Sequence, residues 1–297
     1  MKILHVLDHS IPLHSGYTFR TRSILREQRR RGWQTCHLTS TKQGQITAAE
    51  DEVDGLLFFR TGRQADWPYR VPVLNQYAVI SDLRRRLRQV VLTEKPDIVH
   101  AHSPCLTGLA ALPVCREFEL PLVYEMRASW EDAAVSHGTT TEGSLRYRVT
   151  RGLETYLLRR ADAITTICEG LRADIAARNI ARDRITVIPN AVEAAQFTFG
   201  LSPDRALLEE LGLNGKTVIG FIGSFYHYEG LHLLVDALGR LTDRLPQAHL
   251  LLTGGGQEDE ALRQQVESSG LADRVTFTGR VPHADVPRYY SIVDILA

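Results

Sequence analysis

Short apolar runs alternate along this chain with longer segments of helical period. KILHVLD (2–8) and TVIGFIG (217–223) are short, largely apolar runs, whereas LHLLVDAL (231–238) repeats its apolar residues as a helix does. Strands of the first kind, separated by helices of the second, are typical of a parallel sheet covered by helices on both faces. The pattern therefore predicts an α/β fold with doubly wound parallel sheets.

The apolar runs fall into two series. The first comprises residues 2–8, 34–40, 55–61, 97–103, 121–127, 163–168 and 185–190, and the second 217–223, 248–254, 275–281 and 293–297. Alternation lapses over residues 190–205, where Ser-Pro-Asp gives a turn signal. We predict a Rossmann-like domain over residues 1–195, a linker over 196–215 and a second, partial domain over 216–297.

The second series is shorter than its fold class requires. Sheets of this class have about six strands, so roughly 60 to 90 residues are expected to be missing after Ala297. The alternative is a small four-stranded domain that ends on an edge strand.

The charge balance limits the partners that this chain can attract. The 297 residues include 35 basic and 35 acidic side chains, which excludes gross attraction to nucleic acid. Two basic runs, residues 20–32 and 83–91, are candidates to face anionic lipid headgroups, or they form a solvated basic face. The four cysteines have no metal-ligand spacing, and no apolar run approaches the roughly 20 residues of a membrane span. A reducing, cytoplasmic compartment fits this composition.

Polar residues and a glycine follow several predicted strands, where ligands bind in open parallel sheets. These residues are Gly16, His100, His102, Glu125, Arg127 and Asn190. Four of them have a stated structural alternative: Gly16 as the relief of a turn, His100 as a hydrogen-bonded core histidine, and Glu125 with Arg127 as a structural ion pair.

A glycine-rich stretch, GSFYHYEG (223–230), separates a strand from a helix in the second series. Such a turn suits a phosphate, because the amides at a helix N-terminus are unpaired. No HExxH, DxD or GxSxG motif accompanies it, so neither a metal site nor a serine hydrolase is predicted. Two Rossmann-like domains in series favour group transfer between two bound molecules.

The segment ITVIPNAVEAAQF (185–197) resembles the VxVIPNGVDxxxF pattern of family 4 glycosyltransferases, with Ala191 in the usual glycine position. The resemblance runs through nearly the whole chain, including residues 14–39 and the stretches that begin at Val218, His249 and Arg274. Residues 124–171 resemble the glycosyltransferases associated with exosortase and PEP-CTERM sorting, which implies a role in exopolysaccharide biosynthesis.

The resemblance implies a GT-B fold, with two Rossmann-like domains that face a cleft. It also implies transfer of a hexosyl group from a nucleotide-diphosphate sugar to a glycan or polyprenyl-linked acceptor, with retention and without a metal or other cofactor. The protein would be cytoplasmic, and peripheral contact with the inner face of the plasma membrane stays open. Its implied catalytic residues are Glu125 and Arg127, its acceptor-side residues Gly16, His102 and Asn190, and its donor-binding residues Gly223, Ser224, Glu229, Gly230, Arg280 and Val281.

Two departures from the family pattern limit this interpretation. Ser224 and Glu229 stand where the family has Arg and Lys, so the missing positive charge must come from elsewhere, and Arg127 is a candidate. The family's acidic motif, two Glu eight positions apart, is not reached before Ala297, so the chain is expected to be a fragment with little or no activity. A non-catalytic sugar-nucleotide or glycan-binding protein, a GT-B sugar-nucleotide epimerase and an unrelated two-domain α/β protein remain alternatives.

Overall fold

The computed structural model describes residues 1–13, 15–44, 48–136, 138–192, 194, 200 and 202–297. They form two compact units, Met1–Ala191 (unit 1) and Val192–Ala297 (unit 2). The predicted boundary at residue 195 and part of the predicted linker, residues 196–199 and 201, lie outside the described residues. The limits of the linker therefore stay a prediction.

Unit 1 contains, in its described part, a sheet of eight strands. They are β1 (Lys2–Leu7), β2 (Gln34–Thr39), β3 (Glu50–Val53), β4 (Leu56–Arg60), β5 (Ile98–His102), β6 (Leu122–Met126), β7 (Ala163–Thr166) and β8 (Ile185–Val187). Their order is β3-β4-β2-β1-β5-β6-β7-β8, and every neighbouring pair except β3–β4 is parallel. The seven strands predicted for this domain are confirmed, as is the doubly wound α/β class.

The antiparallel edge strand β3 was missed by the apolar pattern. Its sequence, EDEV, is mostly charged, and its side chains alternate between exposed and half-buried. Charged side chains protect an edge strand from pairing with another chain, so such a strand carries no apolar run. Asp54 and Gly55, both at positive φ, form the tight hairpin turn to β4.

Helices cover both faces of this sheet. They are α1 (Gly16–Arg30), α2 (Leu74–Glu94), α3 (Cys105–Glu117), α4 (Trp130–Ser136), α5 (Leu145–Leu158) and α6 (Glu169–Ala177). The first begins at Ser15, whose side chain accepts a hydrogen bond from the Thr18 amide, and it stops before Gly32 at φ +82°. The core lies against β1, β5 and β6, where Leu4, Val99 and Tyr124 are fully buried.

Unit 2 contains a smaller parallel sheet of four strands in the described part of the chain. These are β9 (Thr217–Ser224), β10 (Ala248–Gly255), β11 (Val275–Gly279) and β12 (Ile295–Leu296), in the order β11-β10-β9-β12. Its helices are α7 (Arg205–Glu210), α8 (Leu231–Leu241), α9 (Asp259–Ser268) and α10 (Val286–Ser291). Within the described residues of both units, no helix combines the length and the apolar character needed to cross a membrane.

The contact between α3 and α5 gives a stability test. A Cβ at Gly108 would clash with the Leu157 side chain, so Gly108→Ala should destabilise unit 1 by about 1 to 3 kcal/mol. A Cβ at Gly152, on the exposed side of α5, meets no described atom within 4 Å. Gly152→Ala should therefore stabilise the unit, by up to about 1 kcal/mol.

The urea midpoint of tryptophan fluorescence measures both variants. Trp33, Trp67 and Trp130 all lie in unit 1, so this signal reports on that unit. Equal midpoints for the two variants would contradict the packing described for Gly108.

Candidate functional site

Three neighbouring strands bring a set of polar side chains together at the carboxyl edge of the unit 1 sheet. His5 on β1 pairs in register with His100 on β5, and His102 on β5 pairs with Glu125 on β6. Residues two apart on a strand share a face, so these four side chains lie on the same face. The predicted grouping of His100, His102 and Glu125 is thus present, and His5 joins it.

Glu125 is the centre of this group and is only 2% exposed. Its Oε1 accepts a hydrogen bond of 2.9 Å from Arg20 Nε, and its Oε2 lies 3.4 Å from Arg127 Nη2 and 2.9 Å from His102 Nδ1. Burial alone would raise the pKa of Glu125, but the positive charge of the Arg127 guanidinium holds it well below its ordinary value. The carboxylate is therefore ionised at neutral pH.

Arg20 connects this carboxylate to the segment that follows β8. Its Nη1 donates to the Pro189 carbonyl at 3.0 Å and to Asn190 Oδ1 at 3.1 Å, and its Nη2 donates to the Ile188 carbonyl at 2.8 Å. The predicted residue Asn190 thus shares a partner with Glu125. Sequence reasoning missed Arg20, although it lies one turn after Gly16 on the helix that starts at this edge.

Arg127 is held by several groups of unit 1. Its Nη1 donates to the Tyr17 carbonyl at 3.0 Å and to Thr21 Oγ1 at 2.9 Å, and its guanidinium lies 4.3 Å from the centre of the Tyr17 ring. Its Nη2 is 2.6 Å from His102 Nδ1. The guanidinium is thus fixed against α1 and β5.

A chain of hydrogen bonds runs from Arg127 through two histidines to α1. His102 Nε2 lies 2.9 Å from His5 Nδ1, and His5 Nε2 lies 2.8 Å from Gln28 Oε1. Since Arg127 only donates and Gln28 Oε1 only accepts, every bond is satisfied when both histidines are neutral and protonated on Nε2. In that state His102 Nδ1 accepts from Arg127 and makes no hydrogen bond to Glu125.

Burial favours the neutral form of these histidines. It lowers the pKa of His102, with a further contribution from Arg127, to about 3, and it lowers the pKa of His5 and of His100 well below the ordinary value. The His100 ring stacks on His102 with centroids 4.2 Å apart. Its Nε2 lies 3.5 Å from Glu125 Oε2 and has no hydrogen-bond partner among the described residues.

These three histidines are also the one group in the described chain with ring nitrogens close enough, within 4.8 Å, to share a metal ion. Two of the nitrogens already form the His5–His102 hydrogen bond, and the Arg127 guanidinium adjoins the cluster. A cation here would have to displace a proton and tolerate a neighbouring positive charge. The cluster therefore fits a hydrogen-bond chain better than a metal site.

Gly16 is the first residue of α1, beside the loop that follows β1. A Cβ at this position would meet no described atom within 4 Å, and its φ is not positive. Neither backbone strain nor packing therefore requires glycine here. The role predicted for it, to let an acceptor approach the backbone, stays a prediction.

The glycine-rich stretch of unit 2 leaves β9 at Ser224 and enters α8 through Gly230. Gly223, Ser224 and Glu229 are exposed, and Gly230 adopts a left-handed conformation at φ +72° directly before the helix. No side chain caps the first amides of α8, and its first turn holds no acidic residue. The Leu233 amide donates to the Gly230 carbonyl at 2.9 Å, so the amides of Leu231 and His232 are the ones at this end that can face an anion, and the phosphate role of the stretch stays a prediction.

Glycines at the end of β10 explain how this stretch is supported. A Cβ at Gly254 would clash with the Gly223 carbonyl oxygen, and one at Gly256 would clash with the Phe225 backbone. The Phe225 amide donates to the Gly255 carbonyl at 3.3 Å. The TGGG sequence at 253–256 therefore lets two backbone segments pack together, which is a structural role and not that of a dinucleotide motif.

Arg280 and Val281 directly follow β11, which ends at the same edge of this sheet. A Cβ on Gly255 would lie 3.7 Å from Arg280 Cγ, and Gly255 pairs in register with Ser224. The structure thus brings Arg280 close to the predicted donor stretch, and half-buried Val281 follows it in the chain. Arg280 is a cation of unit 2 itself that can serve the anion site.

The sequence of unit 1 matches a family model over most of its length. Residues 15–191 match the glycosyl transferase 4-like domain, and residues 205–297 match glycosyl transferases group 1. The chain belongs to the glycosyl transferase 4-like family. The family identified from the VIPN segment is confirmed.

The curated relatives of this glycosyl transferase 4-like chain include enzymes whose names give different acceptors. It is 29% identical over 204 residues to the 2-deoxystreptamine glucosyltransferase of Streptomyces kanamyceticus, a match that covers 67% of this chain and 52% of the relative. It is 25% identical over 193 residues to a glycogen synthase of Mycobacterium tuberculosis, covering 65% and 44%. The chain spans about half the length of the curated relatives that it matches.

Solved structures confirm the GT-B class. Anabaena HepE in complex with UDP-glucose matches with a TM-score of 0.72 and 21% identity, over 100% of this chain and 73% of HepE. The sucrose-phosphate synthase of Thermosynechococcus elongatus matches with a TM-score of 0.76 and 17% identity, over 99% and 74%. At these identities the likeness establishes the fold of the glycosyl transferase 4-like chain.

The neutral histidines predict a pH dependence of stability. Their pKa is lower in the folded chain than the unfolded value of about 6.5. The unfolded chain therefore takes up more protons below that pH, and stability falls as the pH drops. His5→Gln should reduce the slope of unfolding free energy against pH, between pH 6 and 5, by about 1.4 kcal/mol per unit.

Urea titrations followed by tryptophan fluorescence at several pH values measure this slope. A His5→Gln slope equal to that of the parent would mean that His5 is charged in the folded chain, contrary to the proton arrangement above.

Proposed function

We propose that this chain acts as a glycosyltransferase that moves a hexosyl group from a nucleotide-diphosphate sugar to a glycan or lipid-linked acceptor. The observation that carries the proposal is the anion site of unit 2: exposed Gly223 and Ser224, the uncapped N-terminus of α8 and the neighbouring Arg280. Supporting it, HepE of the same fold was solved with UDP and with UDP-glucose.

The departing diphosphate needs stabilisation as the glycosidic bond breaks. Backbone amides of α8 and the Ser224 hydroxyl would donate to its oxygens, and Arg280 would supply positive charge that the stretch itself lacks. The Glu229 side chain is exposed, so it can point away from the phosphates or accept a hydrogen bond from a hydroxyl group of the donor sugar. Val281 would lie near the base. This arrangement uses no metal ion, and we propose transfer without one.

Unit 1 would hold the acceptor near Gly16, His102 and Asn190. Glu125 is too buried and too well paired to act as an exposed nucleophile, so we propose that it positions Arg20 and Arg127. A mechanism without a covalent glycosyl intermediate, with retained anomeric configuration, suits that role. The finer assignment, exopolysaccharide assembly on a polyprenyl-linked acceptor in the cytoplasm, is supported by the resemblance of residues 124–171.

One observation favours a second candidate function. The stretch 223–230 contains no Lys or Arg. A non-catalytic protein that binds nucleotide sugars would tolerate the lack of these two cations. Incubation of the protein with a nucleotide sugar and a lipid-linked acceptor, with NMR of the anomeric proton, distinguishes the candidates. Transfer with retention supports the proposal, donor binding without transfer favours the second function, and formation of a 2-epimer would indicate the epimerase alternative.

Removal of Arg280 tests the donor site directly. A charge-assisted hydrogen bond contributes about 1.5 to 3 kcal/mol to binding. Because Arg280→Ala removes such a bond, we expect it to weaken UDP binding by roughly 10- to 100-fold. The matched control is Arg274→Ala, since Arg274 precedes β11 at the opposite end of that strand and donates to the Pro246 carbonyl. Isothermal titration with UDP gives both affinities, and equal values for the two variants would remove Arg280 from the donor site.

A further inference from the structure

An exposed apolar segment follows β4 at the carboxyl edge of the unit 1 sheet. We call residues 62–77 the docking segment. Trp67 is 65% exposed, Val73 80% and Tyr77 66%, and Val71 and Leu74 are exposed beside them. Single exposed apolar residues are common on soluble proteins, whereas a contiguous set marks an interaction site.

Two cationic pockets border the docking segment. One, of about 510 Å³, is lined by Lys42, Arg63 and Arg70 together with Asp66. The other, of about 390 Å³, is lined by Arg60, Arg63, Arg85 and Arg86 and, among the described residues, by no acidic side chain. Arg63 lines both, so the pockets form one cationic surface next to the apolar residues.

The cations of these pockets are incompletely neutralised. Arg70 has no acidic partner in the described part of the chain, while Arg63 lies 3.7 Å from Asp66, Arg85 3.7 Å from Asp82 and Arg86 4.0 Å from Glu50. The long contact between exposed Arg63 and Asp66 contributes little. Buried Arg60, in contrast, donates to Asp51 at 2.9 Å, and Lys42 Nζ lies 3.4 Å from Asp8. The exposed guanidinium groups of Arg63 and Arg70 are therefore available to an incoming phosphate.

The basic run of residues 20–32, which the sequence marks as a candidate for lipid contact, differs in this respect. On α1, Arg22 and Arg26 pair with Asp54, and Arg30 and Arg31 pair with Glu27. Much of the charge of residues 20–32 is thus used within the molecule. The docking segment, in contrast, combines cations with exposed aromatic side chains.

We propose that the docking segment binds the surface of an anionic phospholipid membrane. Trp67 and Tyr77 would lie at the headgroup level, where amphipathic aromatic rings are favoured, with Val73 beside them. Arg63 and Arg70 would contact lipid phosphates, and each cation near an anionic surface contributes to binding. The inference deepens the proposed function and rests on it, because it would place the edge that carries Glu125 and His102 beside a lipid-linked acceptor.

Vesicle sedimentation tests the proposal with the chain alone, without donor or acceptor. We expect binding to phosphatidylcholine vesicles that contain phosphatidylglycerol and not to pure phosphatidylcholine. The double variant Arg63→Gln, Arg70→Gln should bind roughly 25-fold more weakly, about fivefold per cation. Its matched control, Arg30→Gln with Arg31→Gln, removes two arginines from the far end of α1 and should bind as the parent does.

The apolar contribution has its own pair of variants. Trp67→Ser should weaken vesicle binding, whereas Trp33→Ser, at the opposite edge of the sheet, should not. In a chain with Trp33→Phe and Trp130→Phe, the emission of Trp67 should shift to shorter wavelength when anionic vesicles are added. Binding should also weaken in 1 M salt, where the Debye length is about 3 Å.

Several results would overturn the proposal. The first is a chain that does not bind anionic vesicles at low salt. The second is equal vesicle binding by the Arg63/Arg70 variant and its control. The third is a chain that binds inorganic phosphate at these arginines but does not bind vesicles. UDP titration on the same preparation separates the two proposals: lost vesicle binding with intact UDP binding refutes only the membrane inference, and the reverse refutes only the donor site.

Discussion

An ionised carboxylate buried at the edge of a parallel sheet is the constraint on which unit 1 depends. Glu125 is almost fully removed from water, and a buried charge without partners costs several kcal/mol. Arg20 of α1 and Arg127, the residue directly after β6, offset that cost. Since each guanidinium has further partners, fixing Glu125 also fixes the start of α1, the end of β5 and residues 188–190.

The candidate sites of the two units are formed by different kinds of chemical group. Unit 1 uses charged and aromatic side chains that are locked by hydrogen bonds, whereas unit 2 uses backbone amides that glycines make accessible. Gly254 and Gly256 allow the carboxyl ends of β9 and β10 and the residues directly after them to pack, and Gly230 turns the chain into α8. Rigid side chains suit the orientation of an acceptor, and open amides suit an anionic leaving group.

Much of this arrangement could be predicted from the sequence. Apolar runs locate the strands, and the carboxyl ends of parallel strands locate His102, Glu125 and Arg127 together. His5 and Arg20 could not be found in this way, because His5 lies inside an apolar strand and Arg20 belongs to a helix whose facing side no local pattern reveals. The edge strand β3 carries charge in place of an apolar run. Asp54 and Glu125, which pair with arginines of the basic run at 20–32, are distant from it in sequence.

The central claim is that Glu125 stays ionised while it is buried. Carbon-13 NMR of the glutamate carboxyl groups, with Glu125→Gln to assign the signal, tests it most directly. The account predicts that the Glu125 signal keeps its ionised shift from pH 7 down to pH 4, below the ordinary glutamate value of about 4.3. A Glu125 signal that titrates at or above that value would contradict it, because the carboxyl group would then lack the stabilisation assigned to Arg20 and Arg127.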